Sequence, residues 1–599
     1  MFLLITGIGG AGPQSGGAGW QPGGGDSAAA GTLAALCDEY WEGRLAANPI
    51  EATGIGDRRY DDRLDDNSLE GYAKSRSRLS GVRERARAIP EVGLGAADRL
   101  TLSALLTEVE SDLAKLDCAL HEWTVDPLGG PQIEFFNLES FQTVRGFAEG
   151  QAMVKRWQAM GPSLGRHVAN LERGLAAGKV APVDAVRKVI GGLRETLAEP
   201  DAQWALLLPL ATPHPDWSDA QRAGFADGLT AAVRDSVRPA LARYLTFLEA
   251  QIAPAARPET RAGVMHVAGG DAIYRQLIRV HTSLDLTPDE LHATGLAEVE
   301  RINGEMSELG RKVLGTAGLA ETLARLRTDP ALYFTTRDEV AGKAEAALAR
   351  AKGAIGSWFG LLPKADCAVV RMGEHEEKIS TIAYYRDPAA DGSRPGQFYI
   401  NTYAPETRPR YEAEALAYHE SIPGHHLQLA IAQELRDMPR FRKHVGVTAY
   451  IEGWGLYSER LADEMGLYSS DLDRIGMLSL DAWRACRLVV DTGLHAKGWS
   501  RQRAIDFMRE NSAIALSNIV NEIDRYIVWP GQALAYKTGQ LEILRLRDEA
   551  KRTLGARFDI KRFHDVVLSN GALALVPLRQ VVAEYAAGAR GGREDERGT

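Results

Sequence analysis

The sequence has few cysteines and no long hydrophobic run. Its 599 residues include 4 cysteines, and no two of these form a C-x-x-C pair. The wide spacing argues against a disulfide framework and against a cysteine zinc site, so we expect reduced, structural thiols. No stretch approaches the roughly 20 uninterrupted apolar residues of a membrane helix. We therefore expect no membrane span.

Basic charge is also scarce. The chain has 70 Lys and Arg residues against 80 Asp and Glu residues, which gives a formal net charge of −10. A general nucleic-acid-binding protein needs a basic face, so we expect no nucleic-acid partner. Apolar residues at 45% and charged residues at 25% are ordinary for a soluble globular protein. Peptides and other zwitterionic small molecules remain compatible with this composition.

Both ends of the chain have a composition typical of disorder. Residues 1–31 are rich in glycine, and residues 587–599 combine glycine with charge, so we predict that both segments are disordered. The apolar start, MFLLITGIGG, lacks the basic residues of a secretory signal. We expect a cytoplasmic protein and leave secretion open. Residues 32–586 form the predicted folded part, either as a single body or as a helical lobe at 32–258 and a metal-bearing lobe at 259–586.

Helical patterns dominate this folded part. Leucine and valine recur at intervals of three and four between Leu102 and Leu116, as expected for a helix that packs on a core. Thr287, Pro288 and Glu290 have the spacing of a helix N-cap with a capping box. Strand patterns are few, and the clearest are 381–385 and 397–401, which we predict to pair as a hairpin with a long loop. The predicted fold is mainly α with a small β-sheet.

The segment Tyr418–His426, YHESIPGHH, carries the clearest chemical motif. In the common H-E-x-x-H helix, two zinc-binding histidines lie four residues apart beside a glutamate base. Here the fourth residue after His419 is Pro423, which cannot bind a metal. A spacing of six turns His425 about 120° away from the face of His419 on a regular helix. Pro423 and Gly424 can deform the backbone and bring His425 to the metal, while His426 is the alternative ligand.

A catalytic zinc site takes three protein ligands and leaves one position open. The predicted third ligand is Glu452, on a second helix. Glu459 lies seven residues further on the same face, where it can orient a ligand histidine. Glu420 is the predicted general base, which activates a zinc-bound water and then carries its proton. We expect one Zn²⁺ per chain.

Further candidates lie in the segment 524–537. Amide hydrolysis produces an oxyanion that a hydrogen-bond donor stabilises. Tyr526 is the first candidate for this role and Tyr536 the second. Arg525 and Lys537 are candidates for binding a substrate carboxylate.

The strand around Tyr399 and Asn401 is a candidate for pairing with an extended peptide by strand addition. This expectation depends only on the closeness of the strand to the metal motif along the chain.

Together these motifs resemble the bacterial family known as domain of unknown function 885, grouped with the gluzincin metallopeptidases. The resemblance extends from Leu33 to about Val581. It includes DEYW at 38–41, DRRYDDR at 57–63, LTPDEL at 286–291, GSRPG at 392–396, HESIPGHH at 419–426, EGW at 452–454 and WPGQALAYK at 529–537.

The resemblance implies a large, two-lobed helical metallopeptidase-like fold with zinc in a deep cleft beside the small sheet. In the thimet-oligopeptidase-like and angiotensin-converting-enzyme-like members of the clan, H-E-x-G-H supplies two histidine ligands. This chain is similar but has two additional residues before Gly424, which favours His425. The third ligand of those proteins, a glutamate on the next long helix, corresponds to Glu452. The Arg525–Tyr526 pair resembles the pair that carries their oxyanion tyrosine.

The leading hypothesis is a zinc-dependent hydrolase of peptide or peptide-like amide bonds that acts on short substrates. The alternatives are a non-catalytic protein that binds peptides or metabolites through a degenerate metal site, and a zinc amidase of a specialised small molecule. Cleavage specificity and oligomeric state are not readable from the residues.

Overall fold

The computed structural model describes residues 28–374, 376–378, 380–389, 392, 394–435 and 438–591. Most of the two predicted disordered segments therefore lies outside the described residues. The first helix begins at Ala28 and the last ends at Gly591. Both helices thus extend a few residues into segments for which we expected no structure.

The first ten helices form the N-terminal part of the chain. They are α1 Ala28–Ala47, α2 Pro49–Gly54, α3 Leu69–Arg87, α4 Ala96–Cys118, α5 Pro131–Asn137, α6 Phe147–Ala176, α7 Val183–Ala198, α8 Asp219–Ala231, α9 Arg238–Phe247 and α10 Ala253–Ala255. Helix α4 buries Leu102, Leu105, Val109 and Leu113 against α1 and α3. The predicted apolar stripe is therefore confirmed as the inner face of a helix.

Four more helices precede the sheet. They are α11 Gly270–Thr282, α12 Pro288–Leu314, α13 Leu319–Thr328 and α14 Arg337–Ala354. The predicted capping box at the start of α12 is confirmed, because the Thr287 side chain accepts a hydrogen bond from the backbone of Glu290, and the Glu290 side chain accepts one from the backbone of Thr287.

A three-stranded sheet lies between α14 and the remaining helices. Its strands are β1 Cys367–Arg371, β2 Ala383–Arg386 and β3 Gly396–Ile400, in the order β1-β3-β2. The predicted pairing of the second and third strands is confirmed as an antiparallel ladder, whereas β1, parallel to β3, was not predicted. Because β3 is the central strand, its backbone is paired on both sides. The expected addition of a peptide strand at Tyr399 and Asn401 is therefore wrong.

The last ten helices complete the described chain. They are α15 Ala413–Glu420, α16 His425–Glu434, α17 Arg440–His444, α18 Thr448–Glu464, α19 Asp471–Ala496, α20 Arg501–Asn511, α21 Leu516–Val528, α22 Ala535–Leu554, α23 Ile560–Leu568 and α24 Leu575–Gly591. One apolar core joins the sheet to α14, α15, α16, α18 and α22. A second core joins α12 and α13 to α19, α20 and α21. The mainly α fold with a small sheet is as predicted.

The N-terminal helices reach the C-terminal part through α17. Phe441 of this short helix belongs to the apolar cluster of α1, α3 and α4, and its ring contacts Tyr40 edge-on at a centroid distance of 5.6 Å. The guanidinium of Arg442 donates a hydrogen bond of 2.9 Å to the Thr101 hydroxyl. The connection between α16 and α18 is thus attached to helices near the start of the chain.

None of the helices in the described part of the chain combines the length and apolarity needed to cross a lipid bilayer.

Candidate metal centre

The HESIPGHH segment is a break between two helices. Helix α15 ends at Glu420 and α16 begins at His425, so His419 lies in the last turn of one helix and His425 opens the next. The indole of Trp454 and the hydroxyl of Ser458, both on α18, donate hydrogen bonds to the Pro423 carbonyl at 2.9 and 3.2 Å. These bonds hold the turn against α18. The expected backbone deformation is therefore a complete interruption of the helix.

Gly424 allows this turn to close. A β-carbon at this position would collide with the carbonyl oxygens of His419 and Tyr418. Any side chain here would have to move α16 away from the end of α15. The small residue is thus a steric requirement for bringing the two histidines together.

The structure brings His419, His425 and Glu452 together. Their candidate ligand atoms lie within 4.8 Å of one another. The Nε2 atoms of His419 and His425 lie 3.6 and 3.7 Å from Oε2 of Glu452. Tetrahedral zinc with ligand distances of about 2.0–2.1 Å needs ligand atoms separated by about 3.3 Å. The three residues are at most 8% exposed, and a small rotation of each side chain would complete such a site.

Glu459 fixes the orientation of His419. Its Oε1 lies 2.8 Å from Nδ1 of that ring, and the Glu459 side chain is fully buried. This contact leaves Nε2 of His419 free to face Glu452. Gly455, one turn before Glu459 on α18, provides the room for the imidazole, because a β-carbon there would collide with the ring. Glu459 therefore lies where the sequence predicted an orienting carboxylate.

The charges of His419 and Glu452 act strongly on each other. Burial lowers the pKa of His419, but hydrogen bonds to Glu452 and Glu459 outweigh it and raise that pKa to about 9. Burial raises the pKa of Glu452, yet the two histidines hold it far below its usual value. The cluster thus favours positive charge between the imidazoles and the carboxylate, which is what a cation site requires.

Glu420 follows His419 directly and is 4% exposed. Its negative charge acts on His419, which places the carboxylate beside the cluster. Within the described residues, no side-chain or backbone donor forms a hydrogen bond with this carboxylate. A buried acceptor next to a cation site and without a partner is suited to receive a proton from water.

His426 is held away from the cluster. Its Nδ1 lies 2.8 Å from the Tyr385 hydroxyl of β2, and its Nε2 lies 3.2 Å from the Ala365 carbonyl oxygen. Both ring nitrogens are therefore engaged with the sheet and the segment before β1. Of the two alternative ligands, only His425 faces Glu452.

The phenol of Tyr526 is enclosed by other polar groups. Its oxygen accepts hydrogen bonds from Trp483 at 3.0 Å and from Arg487 at 2.7 Å, and it donates one of 2.6 Å to Glu522. Arg525 next to it binds Glu522 and Gln532. The hydrogen bonds to Trp483, Arg487 and Glu522 thus use the one donor and both acceptor positions of the Tyr526 hydroxyl.

Three other candidates have structural partners. Lys537 donates hydrogen bonds to Asp481 and Gln540 and forms an ion pair with Glu298. Asn401 donates to the Glu377 carbonyl oxygen and is 1% exposed, and Tyr399 stacks on Tyr384 within the sheet.

Tyr536 lies in the first turn of α22, and the charge of Glu452 acts on its phenol. Helices α18 and α22 cross with backbones in contact at Gly453 and Gly539, and this brings the first turn of α22 beside Glu452. The Tyr536 hydroxyl is buried and has no hydrogen-bond partner in the described structure. Burial and then the charge of Glu452 raise the pKa of Tyr536 to about 12, so the phenol stays protonated and can donate.

Asp387 is a neighbour of the cluster that sequence reasoning missed. Burial raises its pKa to about 7, and His425 is the largest influence in the opposite direction. Nδ1 of His425 and Oδ1 of Asp387 are both buried and have no hydrogen-bond partner in the described part of the chain. Asp387 lies just after β2 in a polar loop, and no spacing pattern distinguishes it from the other loop carboxylates.

The chain belongs to the family described as "Bacterial protein of unknown function (DUF885)", whose model matches residues 49–582. Two solved structures are similar to it. One is the "putative lipoprotein" from Colwellia psychrerythraea, with 26% identity and a TM-score of 0.87 over 94% of this chain and 100% of that chain. The other is a "putative lipoprotein of unknown function" from Shewanella oneidensis, with 18% identity and a TM-score of 0.74 over 92% of this chain and 100% of that chain. No curated protein matches the sequence.

Proposed function

We propose that this protein is a zinc-dependent hydrolase of peptide or peptide-like amide bonds. The observation that carries the proposal is the buried convergence of His419, His425 and Glu452 beside the unpaired carboxylate of Glu420. Perturbed ionisable groups of this kind concentrate at functional sites. Three carboxylates, those of Glu420, Glu452 and Glu459, are buried around the imidazoles of His419 and His425. The packing of these residues gives no other reason for burying so many charged groups together.

The donor set fits zinc. Two imidazole nitrogens and one carboxylate oxygen are the ligands of catalytic zinc sites that keep a position open for substrate. The buried Nδ1 of His425, which has no partner, and the Glu459 contact of His419 suit rings that bind through Nε2. Zinc held by these three residues would supply Lewis acidity, which polarises a carbonyl and makes water more acidic.

Separate residues of the chain transfer the proton and stabilise the developing negative charge. Glu420 takes a proton from the attacking water and passes it to the leaving amine nitrogen. Tyr536 donates a hydrogen bond to the carbonyl oxygen as negative charge develops there. We prefer Tyr536 to Tyr526 for this role, because only Tyr536 has a hydroxyl without a partner. Glu459 keeps His419 in the orientation that binds metal.

Several finer features of the proposal follow from the same site. The HESIPGHH turn and the glutamate on the next long helix support a gluzincin-like clan membership and a two-lobed metallopeptidase architecture. Ligands that are at most 8% exposed favour short peptides over folded proteins. The description of the Colwellia and Shewanella proteins as lipoproteins supports a location outside the cytoplasm for this chain, in place of the cytoplasm that we expected.

Replacing the proposed base tests the mechanism. In zinc-loaded Glu420→Gln protein, turnover of a short peptide should fall at least about 100-fold, because the amide cannot accept the proton. Zinc stoichiometry, measured by elemental analysis, should stay at one per chain.

Glu406→Gln is the matched control, because Glu406 is exposed and precedes α15. It should retain full turnover. Undiminished hydrolysis by Glu420→Gln would contradict the assigned base, and a zinc-loaded protein without any hydrolase activity would favour a binding function.

A further inference from the structure

A cluster of buried arginines lies beside Tyr536. Arg484 and Arg487 of α19 flank the indole of Trp483, with guanidinium carbons 4.5 and 4.4 Å from its ring centre. Arg487 also lies 4.4 Å from the ring centre of Tyr536. Arg525 of α21 joins them through Tyr526, whose ring lies 4.9 Å from its guanidinium and 5.5 Å from that of Arg487. All three arginines are at most 5% exposed.

The positive charge of this cluster exceeds its negative charge. Glu522 forms ion pairs with Arg487 at 3.1 Å and with Arg525 at 2.8 Å. Arg484 donates to the Leu480 carbonyl oxygen, and it forms no ion pair in the described part of the chain. Two of the three guanidinium groups thus form ion pairs with one carboxylate, Glu522, while the charge of Arg484 acts on the half-buried Glu412. A cation bound at His419, His425 and Glu452 would add to the positive charge.

Two of the donors in this cluster have no acceptor. Among the residues that the structure describes, Nε of Arg484, Nη1 of Arg487 and the Tyr536 hydroxyl are buried without a hydrogen-bond partner. Leaving charged donors buried and unpaired costs several kcal/mol, so folded proteins avoid it unless a ligand completes the arrangement. Trp483 and Glu522 at the border of the cluster are half-buried, and this is the side from which a ligand can approach.

We propose that Arg484 and Arg487 form a subsite for a carboxylate of the substrate, with Tyr536 between this subsite and the metal centre. This inference extends the proposed function by assigning the substrate class. The substrates would be short peptides, or related N-acyl amino acids, in which a free carboxylate lies near the amide bond to be cut. Guanidinium groups suit this role because their N–H groups match the two oxygens of a carboxylate.

The two residues that the sequence suggested for carboxylate binding are less suitable. The donors of Arg525 are directed to Glu522 and Gln532. Lys537 is balanced by Asp481 and Glu298. The donors without an acceptor in the described structure belong to Arg484 and Arg487 of α19. These arginines follow Trp483 in the sequence and form no recognisable motif.

The test compares a free acid with its amide. N-acetyl-Ala-Ala and N-acetyl-Ala-Ala amide are titrated into full-length, zinc-loaded Glu420→Gln protein, in which turnover is suppressed, and binding is measured by calorimetry. The free acid should bind about 10- to 100-fold more tightly, as expected for hydrogen bonds to a charged group. In the Arg484→Met background, this preference should fall to less than about threefold.

Arg474→Met is the matched control. Arg474 is on the same helix and pairs with Asp463 and Asp471 far from the cluster, so this variant should keep the preference. Equal binding of acid and amide, or binding of neither, would overturn the subsite. The acid–amide comparison needs no arginine variant, so it decides the question even if Arg484→Met does not fold.

The outcome separates this inference from the proposed function. A protein that binds the free acid selectively but cleaves no peptide with Glu420 intact would keep the subsite and lose the hydrolase assignment. A protein that cleaves and binds acids and amides equally well would keep the assignment and lose the subsite.

Discussion

Two tyrosines with the same side chain have different surroundings in this protein. Tyr526 exchanges hydrogen bonds with Trp483, Arg487 and Glu522, whereas the hydroxyl of Tyr536 has no partner within the described structure and is under the charge of Glu452. A phenol saturated by its neighbours stabilises the fold. A buried phenol that keeps a free donor costs stability and is available to a ligand.

Substituting the two tyrosines separates these roles. Tyr536→Phe should reduce kcat by about 100- to 1000-fold, the usual effect of losing one oxyanion donor, with zinc content unchanged. Tyr526→Phe should instead lower the free energy of unfolding by about 1–3 kcal/mol, because buried Arg487 and half-buried Trp483 and Glu522 lose their hydrogen bonds to the phenol. Peptide turnover and denaturant unfolding measure the two effects. The reverse pattern, with Tyr526→Phe inactive at normal stability, would return the role to Tyr526.

At the residue scale, the sequence predicted which residues form the site better than it predicted which side chains each of them contacts. His419, Glu452 and Glu459 could be chosen from spacing, because residues seven apart share one face of a helix. The choice between His425 and His426 was open. It depends on Tyr385 and Ala365, which reach His426 only after the sheet has folded. Asp387 escaped notice for the same reason, since only tertiary packing brings it to His425.

The decisive element is the turn between α15 and α16. An unbroken helix through this segment would direct His419 and His425 to different faces, and the interruption at 421–424 removes that constraint. A proline predicts such a break. The direction in which the chain continues is determined by the hydrogen bonds that Trp454 and Ser458 donate to the Pro423 carbonyl. Both donors belong to α18, which follows later in the sequence.

Gly424→Ala should impair the metal centre without altering any ligand. The added methyl group would collide with the His419 and Tyr418 carbonyl oxygens and force α16 away from α15. We expect zinc affinity to fall at least about 10-fold, the scale on which displaced supporting groups act. Competition with a chromophoric chelator measures the affinity.

Gly342→Ala on α14 is the control, since open space surrounds that position and alanine favours the helix. It should leave zinc affinity unchanged. An unaltered zinc affinity in Gly424→Ala would show that the turn tolerates a side chain. The close approach of residue 424 to the end of α15 would then not be required.

At the scale of the whole molecule, the metal centre lies where helices α15, α16 and α18 of one apolar core meet. His419 and His425 belong to helices around the sheet core, and Glu452 and Glu459 belong to α18, which crosses α22. Ligand binding at such a junction stabilises all the elements that supply ligands. The mainly α architecture and the antiparallel strand pair followed from local patterns, but β1 and the helix crossings depend on contacts distant in sequence.

Metal removal should therefore lower thermal stability. Zinc at about 100 times its Kd should stabilise the protein by about 2.7 kcal/mol relative to the metal-free state. Differential scanning calorimetry with and without a chelator measures this difference. His425→Ala should abolish the zinc-dependent shift, whereas His426→Ala should lower stability in both states and keep the shift. The opposite result would make His426 the ligand.

The anchoring of α17 has a consequence for shortened forms of the protein. This helix lies in the stretch that carries the chain from the two imidazoles proposed as ligands to the proposed carboxylate ligand, yet its aromatic and basic side chains contact Tyr40 and Thr101. Removing helices α1 to α4, up to Cys118, would release that stretch. A fragment restricted to residues 259–586 would then keep His419, His425 and Glu452 but lose the packing that aligns them.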